Sequence, residues 1–423
     1  MMYRILLGTI LLLLAFACSS TRPMQVIDLE MHDLDTLFVE APMPNSRKEA
    51  ADFRLPTYKP SAKRTNDLLH TKLELSFDWE KEQVIGKASL ELKPYFGSVQ
   101  SLTLDAKQLN MNAIEIPGHT FDYTYDEEHI QITFEKPIAA KETYTVTIDY
   151  TAQPSASGGS AAITSNQGLF FINPRGEEGD KPQQIWTQGE TEWNSRWFPT
   201  IDQPNERCTQ ELFITVDQKF QTLSNGILKE LTNNPDGTRT DHWQMDQPHA
   251  PYLFMLTVGE FAVVKDQWED LPLTYYVEPK YENSAKAIFQ HTPEMISFFS
   301  SKLNFPFPWD KYAQVVVRDY VSGAMENTTA SVFGERVQKF ERALIDDGND
   351  RIVAHELFHQ WFGNLVTCES WANLTMNEGF ANYAEYLWFE HKYGADEANY
   401  HLLSERSAYF FGSGMDARPL IYF

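Results

Sequence analysis

The sequence predicts two successive domains, an all-β domain followed by an α+β domain. The chain has 423 residues, which exceeds the usual size of one small domain. Over residues 63–265, apolar and polar residues alternate in short runs separated by turn signals, whereas helical periodicity dominates over residues 266–423. A content of 42% hydrophobic and 22% charged residues is typical of globular proteins, so we expect both regions to build packed cores.

The charge balance bears on possible partners. Asp and Glu together number 59, Lys and Arg number 35, and the formal net charge is −24. A surface this acidic repels a phosphate backbone, so we expect no nucleic-acid partner. The charge alone leaves the substrate open.

Residues 1–18 form the first predicted element, a secretion signal. One arginine precedes an apolar run from Ile5 to Ala17, which is short for a membrane span. Ala15-Phe16-Ala17 fits ordinary cleavage after small residues, whereas Cys18 fits a bacterial lipoprotein signal in which this cysteine carries the lipid. We favour the lipoprotein signal. We therefore expect an exported protein of the periplasm or cell envelope that contacts a membrane only through lipid at Cys18.

Residues 19–62 are predicted to be a linker, because Pro, Ser, Lys and Arg recur there without periodicity. The strands of the β-domain follow. They are indicated by Leu73, Leu75 and Phe77 on one face and by the segments KASLELKP, YTVTIDY and ELFITV, with turns such as Asn225-Gly226 between strands. We expect these short strands to form a sandwich or a saddle.

Two cysteines, Cys208 and Cys368, follow Cys18 in the sequence. Two are too few for a disulfide framework in a chain of this length, which can build a hydrophobic core instead. We expect two buried free thiols rather than a single bridge.

Residues 266–423 mix helices with strands, which predicts an α+β domain. Helices are indicated by HTPEMISFFSSKLNF, RIVAHELFHQWFGNLV and TMNEGFANYAEYLWFEHKYG. The β-branched run AQVVVRDY lies between the first two and suits an inner strand. The sequence stops at Phe423 without a terminating signal, so we expect this domain to be incomplete at its C-terminus.

Two histidines of the second helical segment predict a metal site. His355 and His359 are four residues apart, which places both imidazoles on one face of a helix predicted from Arg351 to Val366. That helix is apolar almost all round, and imidazoles are costly to bury there without a partner. One Zn²⁺ ion supplies such a partner, and the pattern HExxH is rare by chance.

Glu378 is the best candidate for a third ligand. It follows His359 after 18 intervening residues and lies in the first turn of the next predicted helix, which Gly394 ends. A short loop would return this helix antiparallel to the first and bring Glu378 to the same ion. For Glu385 and His391, further along the helix, we expect solvent-facing or packing roles.

Glu356 then remains beside the ion without a ligand role. Two histidines and one glutamate leave a fourth position open, as a catalytic zinc site requires. Zinc lowers the pKa of a bound water toward about 7, and an adjacent carboxylate takes its proton as the water attacks a carbonyl group. The residues therefore predict amide hydrolysis with Glu356 as the general base.

With these residues the segment resembles the gluzincin metallopeptidases, and a second motif narrows the resemblance to the M1 aminopeptidases, the aminopeptidase N family. Gly323-Ala324-Met325-Glu326-Asn327 is similar to the GxMEN motif of that family. The resemblance covers about residues 65–423 and implies a β-domain followed by a thermolysin-like catalytic domain. The sequence departs from the family at Thr328, where Trp is usual.

The resemblance implies roles for further residues. The glutamate of GxMEN, here Glu326, would bind the α-amino group of a substrate, and the backbone of Gly323 and Ala324 would line the peptide. A Gln-x-Glu pattern, here Gln188 and Glu190, would supply a second acid to the amine site. Two carboxylates at a closed end admit a free chain terminus and exclude upstream residues, so the implied partner is a peptide with a free N-terminus.

The expected activity is zinc-dependent removal of N-terminal residues from peptides. The resemblance also places an oxyanion-stabilising tyrosine beyond Phe423, so an inactive, peptide-binding fragment of this fold remains an alternative. Endopeptidase and epoxide hydrolase activities on the same scaffold are further alternatives. Zinc content, turnover and the comparison of free with N-acetylated substrates distinguish them.

Overall fold

The computed structural model describes residues 60–154 and 167–416, with side chains to residue 410. The predicted signal peptide with Cys18, most of the predicted linker and the end at Phe423 lie outside these ranges. Within the described residues, no helix is both long enough and apolar enough to cross a membrane.

Alternating apolar residues build the β-rich region. In the first strand Leu73 and Leu75 are buried and Glu74 between them is exposed, so one face of the strand turns to the core. The strands here are β1 (Asn66–Asp78), β2 (Gln83–Pro94), β3 (Val99–Asp105), β4 (Leu109–Glu115), β5 (Phe121–Tyr125), β6 (His129–Ile138), β7 (Tyr144–Ala152), β8 (Leu169–Ile172), β9 (Gln184–Thr187), β10 (Cys208–Asp217), β11 (Gln221–Ser224), β12 (Ile227–Asn233), β13 (Thr238–His249), β14 (Leu256–Gly259), β15 (Ala262–Trp268) and β16 (Leu271–Val277). The four segments in which the sequence predicted strands correspond to β1, β2, β7 and β10, so those predictions are confirmed.

Fourteen of these strands form three sheets. Their orders are β12-β13-β10-β1-β2-β7-β4, β3-β6-β5 and β11-β14-β9-β8. Strand β1 pairs in parallel with β10 and antiparallel with β2. The apolar faces of the three sheets share one core, and Cys208 belongs to it. Cys208 and Cys368 are both buried free thiols, as predicted.

A fourth sheet lies between two cores and carries the inner strand that the sequence predicted. Its order is β15-β16-β17-β19-β18, where the later strands are β17 (Tyr312–Val317), β18 (Ala324–Met325) and β19 (Ala330–Gly334). Every residue of β17 is buried. Val315 and Val317 face the core of the β-rich region, whereas Tyr312 and Val316 face a second core that the helices cover. Strand β15 crosses the predicted domain boundary at residue 265, and the other four strands of this sheet follow it.

The helices pack on the second core. They are α1 (Ala285–Ile288), α2 (Thr292–Leu303), α3 (Glu341–Leu344), α4 (Asp350–Phe358), α5 (Thr375–Tyr393) and α6 (Ala395–Asp416), with 3₁₀ turns at Asn194–Arg196, Pro251–Leu253, Pro279–Ser284, Glu335–Val337 and Trp371–Asn373. Asp350, at the start of α4, accepts hydrogen bonds from Nε1 of Trp388 at 2.8 Å and the hydroxyl of Tyr393 at 2.7 Å. Because both donors lie near the end of α5, the two helices run antiparallel, and the end of α4 meets the start of α5.

The helix predicted from Arg351 to Val366 is shorter than expected. It ends at Phe358, and the prediction is wrong for the second half of the segment. There the amide of Gly363 donates to the carbonyl of Val366 and the amide of Asn364 to that of His359, contacts that belong to turns. In this half Trp361 is buried and Phe362 and Leu365 are partly buried, although none of the three is helical.

Candidate metal centre and substrate cavity

Three side chains predicted to bind a metal meet where α4 ends and α5 begins. Nε2 of His355 lies 3.3 Å from Oε2 of Glu378, and Nε2 of His359 lies 3.6 Å from Oε1 of the same carboxylate. One ligand atom from each residue lies within 4.8 Å of the other two. Two imidazole nitrogens and one carboxylate oxygen this close together fit Zn²⁺, because catalytic zinc sites commonly take three such protein ligands.

The outer nitrogens of both imidazoles are held by the protein. Nδ1 of His355 lies 2.8 Å from Oε1 of Glu385, and Nδ1 of His359 lies 2.9 Å from the carbonyl oxygen of Phe362. When each Nδ1–H donates to its acceptor, each Nε2 turns its lone pair toward Glu378. This is the orientation that a metal ligand needs.

Glu385 is a site residue that the sequence did not identify. We expected a solvent-facing or packing role for it, but its carboxylate is 1% exposed and bonds to His355. Its spacing was the missed signal, because Glu385 lies seven residues, or about two helical turns, after Glu378 and so shares its face. His391 packs as expected, with its ring stacked on Phe298 at a centroid distance of 4.3 Å.

The pKa values of Glu378 and His355 are shifted in opposite directions. Burial acts to raise the pKa of Glu378, but the imidazoles of His359 and His355 outweigh it and lower that pKa to about 2. Burial acts to lower the pKa of His355, but its hydrogen bonds to Glu378 and Glu385 outweigh it and raise that pKa. The carboxylates around the cluster therefore favour a cation among them.

Glu356 lies on α4 beside the cluster and lines the same cavity. Its side chain is buried, and burial raises its pKa well above the ordinary value; His355 opposes this shift and Glu326 adds to it. A carboxylate whose pKa is raised by burial accepts a proton more readily than an exposed one, which suits the role of a general base.

Glu326 and Glu190 come from different sheets and lie at the same cavity. Glu326 directly follows β18, and Glu190 follows β9. Both carboxyl groups are buried, and Oε1 of each lacks a hydrogen-bond partner among the described residues. Burial raises the pKa of both, and for Glu190 the neighbouring Glu326 raises it further. Buried acceptors without partners are costly, and a cationic ligand would satisfy both.

The remaining residues that the sequence assigned to the site, Gln188, Gly323 and Ala324, line the same cavity. Nε2 of Gln188 donates to Sδ of Met325 at 3.4 Å, and Oε1 of Gln188 accepts a hydrogen bond from the hydroxyl of Tyr320. Gly323 and Ala324 line the cavity at β18, which is an edge strand because it pairs with β19 on one side only. An unpaired strand edge can hold an extended peptide through backbone hydrogen bonds.

A cavity of about 310 Å³ is lined by all nine residues that the sequence assigned to the site. Its lining consists of Gln188, Glu190, Ser322, Gly323, Ala324, Glu326, Arg351, Ile352, His355, Glu356, His359, Glu378, Asn382 and Glu385. Arg351 and Ile352 were not identified from the sequence. They precede His355 by four and three residues, so helical spacing places them on its face of α4.

Two sequence models of one peptidase family match the chain, and each matched range contains residues that line this cavity. The Peptidase M1 N-terminal domain matches residues 66–253, and the Peptidase family M1 domain matches residues 288–417. Together they cover about three quarters of the chain.

Curated relatives agree with these matches. Endoplasmic reticulum aminopeptidase 1 of Mus musculus is 28% identical over 76% of this chain and 34% of its own length. Glutamyl aminopeptidase of Homo sapiens is 30% identical over 52% of this chain and 24% of its own length, and aminopeptidase B of Rattus norvegicus is 26% identical over 64% and 38%. The chain thus spans between 24% and 38% of the length of these relatives. From both family models and these relatives, we conclude that the chain belongs to peptidase family M1.

Proposed function

We propose that this chain carries the site of a zinc aminopeptidase, which hydrolyses the peptide bond after an N-terminal residue. The observation that carries the proposal is a pair of buried carboxyl groups, Glu326 and Glu190, whose Oε1 atoms have no hydrogen-bond partner among the described residues and which lie in one cavity with the candidate metal ligands. Family membership supports peptide hydrolysis, and the named relatives are aminopeptidases.

The carboxylates account for recognition of a chain end. An ammonium group between Glu326 and Glu190 would give each buried acceptor a charge-assisted hydrogen bond, which is about twice as strong as a neutral one. A blocked α-amino group is uncharged and larger, so it leaves those carboxylates unpaired. The edge of β18 that has no neighbouring strand in the described sheet would hold the backbone of the first residues.

The metal ligands and Glu356 account for the chemistry. His355, His359 and Glu378 would hold one Zn²⁺ ion, which when bound supplies Lewis-acid polarisation of the scissile carbonyl group. Glu356 lies in the same cavity and would take a proton from the attacking water and deliver it to the leaving amine. Glu385 would keep the imidazole of His355 in its ligand orientation.

The proposal is tested by measuring zinc content and kcat/KM together. The substrates are L-leucine p-nitroanilide and its N-acetylated form, and the variants are Glu356→Gln, Glu326→Gln and Glu190→Gln. We expect one zinc per chain, turnover of the free amine only, and a loss of kcat of roughly a hundredfold or more for Glu356→Gln. The amine-site variants should raise KM for the free substrate and reduce the discrimination between the two substrates.

Three outcomes would contradict the proposal. Equal turnover of both substrates would favour an endopeptidase. Stoichiometric zinc without turnover would favour a peptide-binding protein. If Glu326→Gln and Glu190→Gln both discriminate between the free and the acetylated substrate as well as the wild type does, these two residues do not form the amine site.

We also propose that the protein is exported and carries lipid at Cys18. The support is the apolar run from Ile5 to Ala17 directly before this cysteine. Expression of the full chain in a bacterium, followed by detergent phase partition and mass spectrometry of the N-terminal peptide, tests it. A lipidated N-terminal cysteine that disappears in Cys18→Ala is expected, and a mature N-terminus without lipid would contradict the proposal.

A further inference from the structure

Glu326 lies between a very short strand and a tight turn. Strand β18 pairs with β19 only through Ala324 opposite Phe333 and Met325 opposite Val332. Directly after Glu326, the amide of Ala330 donates to the carbonyl of Asn327 at 2.9 Å and closes the turn into β19. Two paired residues at a sheet edge constrain the backbone only weakly, so contacts outside β18, including those of this turn, bear on the position of Glu326.

Thr329 occupies an unfavourable backbone conformation in that turn. Its φ is +66°, in the left-handed region that glycine adopts freely and that β-branched residues rarely adopt. The residue is also buried. A conformation of this kind persists only where the surroundings hold it in place, and such positions concentrate at ligand-binding sites.

Five hydrogen bonds hold Thr329 in place. Its amide donates to Oε1 of Gln360 at 2.9 Å, and its carbonyl accepts from the amide of Ala313 at 2.8 Å and from Nζ of Lys311 at 3.2 Å. Its hydroxyl oxygen accepts from the amide of Gly226 at 2.9 Å and from Nζ of Lys311 at 3.2 Å. We call Thr329, Gly226, Lys311 and Gln360 the Thr329 clamp.

The clamp joins the β-rich region to the segment that follows the metal-binding helix. Gly226 belongs to the turn between β11 and β12, and Lys311 directly precedes β17. Gln360 follows the ligand His359, and its Nε2 donates to the carbonyl of Glu326 at 3.0 Å while its Oε1 accepts from Thr329. The same carbonyl accepts from Nδ2 of Asn364 at 2.7 Å. The backbone of Glu326 is thereby tied to the residues beside the metal ligands.

We propose that Thr329 is a positioning residue, whose hydroxyl, held by Gly226 and Lys311, fixes the turn that aims the Glu326 carboxylate at the α-amino group of the substrate. The proposal rests on the proposed aminopeptidase function. A fixed Glu326 would set the distance between the amine site and the scissile bond. This distance matters, because a displacement of about 1 Å at such a site is costly to catalysis.

The test measures amine binding without turnover. In a Glu356→Gln background, the affinity for L-leucinamide and for N-acetyl-L-leucinamide is determined by titration calorimetry, together with zinc content and thermal stability. Thr329→Val keeps the shape of the side chain and removes the hydroxyl, and Thr329→Ser keeps the hydroxyl. Thr329→Gly removes the hydroxyl and also relieves the left-handed backbone. Thr71→Val is the matched control, because Thr71 is a buried threonine in β1 that does not line the cavity.

For Thr329→Val we expect L-leucinamide to bind roughly tenfold more weakly, with zinc content unchanged. Thr329→Ser should restore binding to within about twofold. Thr329→Gly should bind as weakly as Thr329→Val without an equal loss of stability, and Thr71→Val should leave the affinity unchanged.

Two results would overturn the proposal, and they are distinguishable. If Thr329→Val lowers the stability but leaves the affinity for L-leucinamide unchanged, Thr329 has a purely structural role and the proposed aminopeptidase site stands. If the protein with Thr329 intact binds the free and the acetylated amide equally, or binds neither, the amine site itself is wrong and the positioning role falls with it.

Discussion

Nδ1 of His355 lies 2.8 Å from Oε1 of Glu385, a buried carboxylate about two helical turns beyond the ligand candidate Glu378. The same helix α5 therefore supplies both a candidate metal ligand, Glu378, and the acceptor that holds the imidazole of another candidate, His355. Oε2 of Glu385 lies 3.2 Å from Nε2 of His401 on α6 and 3.6 Å from a guanidinium nitrogen of Arg351 on α4, so side chains of both helices flank the carboxylate.

Replacement of Glu385 by glutamine should weaken zinc binding. Glutamine preserves the shape and an acceptor oxygen but removes the negative charge that makes the His355 imidazole a better ligand, so we expect an affinity about tenfold lower. Competition with a chromophoric chelator measures it. Glu390→Gln is the matched control, since Glu390 lies on the same helix and is exposed. Equal zinc affinities for the two variants would contradict the orienting role of Glu385.

Lys311 should make the stability depend on pH in an unusual window. Its ammonium group is buried and bonds to the carbonyls of Ser224 and Thr329 and to the hydroxyl of Thr329, with no carboxylate among these acceptors. Burial lowers its pKa to about 7, against an ordinary value of 10.5. Between these two pH values the unfolded chain holds more protons than the folded one, so the free energy of unfolding should rise with pH in this window.

The comparison that isolates this contribution is wild type against Lys311→Met, with urea unfolding at pH 6, 8 and 10. Other titrating groups are common to both proteins, so the wild type should gain stability relative to the variant as the pH rises from about 7 toward 10. Lys87→Met, which removes an exposed lysine, is the matched control for the loss of one ammonium group. If the difference in the free energy of unfolding between wild type and Lys311→Met does not change with pH, burial does not lower the pKa of Lys311.

Local patterns made much of the fold and the metal cluster predictable. Alternation of apolar residues locates strands such as β1 because those strands have one core face and one more exposed face, and His355 and His359 share a helix face through spacing alone. The all-β region followed by strands and helices is therefore confirmed. The helix end was misjudged because the residues after Phe358 are apolar through burial in turns, a pattern that periodicity does not separate from a buried helix.

The Thr329 clamp could not be predicted from the sequence. Its contacts join residues far apart in the chain, such as the amide of Gly226 and the hydroxyl of Thr329, separated by 103 positions. Asn225-Gly226 indicated only a turn, and neither a lone lysine nor a threonine after GxMEN carries a pattern of its own. Glu385 differs, because its helical spacing from Glu378 is visible in the sequence, although we expected a solvent-facing or packing role for it.

Gly226 should be far more sensitive to alanine than Gly237, although both residues are left-handed. Their φ values are +70° and +87°, so an alanine at either position meets a backbone penalty of about 1 kcal/mol. At Gly237 an added Cβ meets nothing within 4 Å, whereas at Gly226 it would lie 1.9 Å from the carbonyl oxygen of Gln244, which must move. We therefore expect Gly237→Ala to lower the free energy of unfolding by about 1 kcal/mol and Gly226→Ala by about 3 kcal/mol.

The same pair of variants separates a local loss of stability from an effect at the amine site. Because the amide of Gly226 donates to the hydroxyl of Thr329, a shift of this turn should displace the Thr329 clamp and weaken L-leucinamide binding, whereas Gly237→Ala should leave binding unchanged. Urea unfolding and titration calorimetry on both variants in the Glu356→Gln background measure the two effects. Equal free energies of unfolding for the two variants would show that the Gly226 turn can accommodate the added Cβ without a loss of stability. If Gly226→Ala is destabilised but retains full affinity, the turn supports the fold and not the position of Glu326.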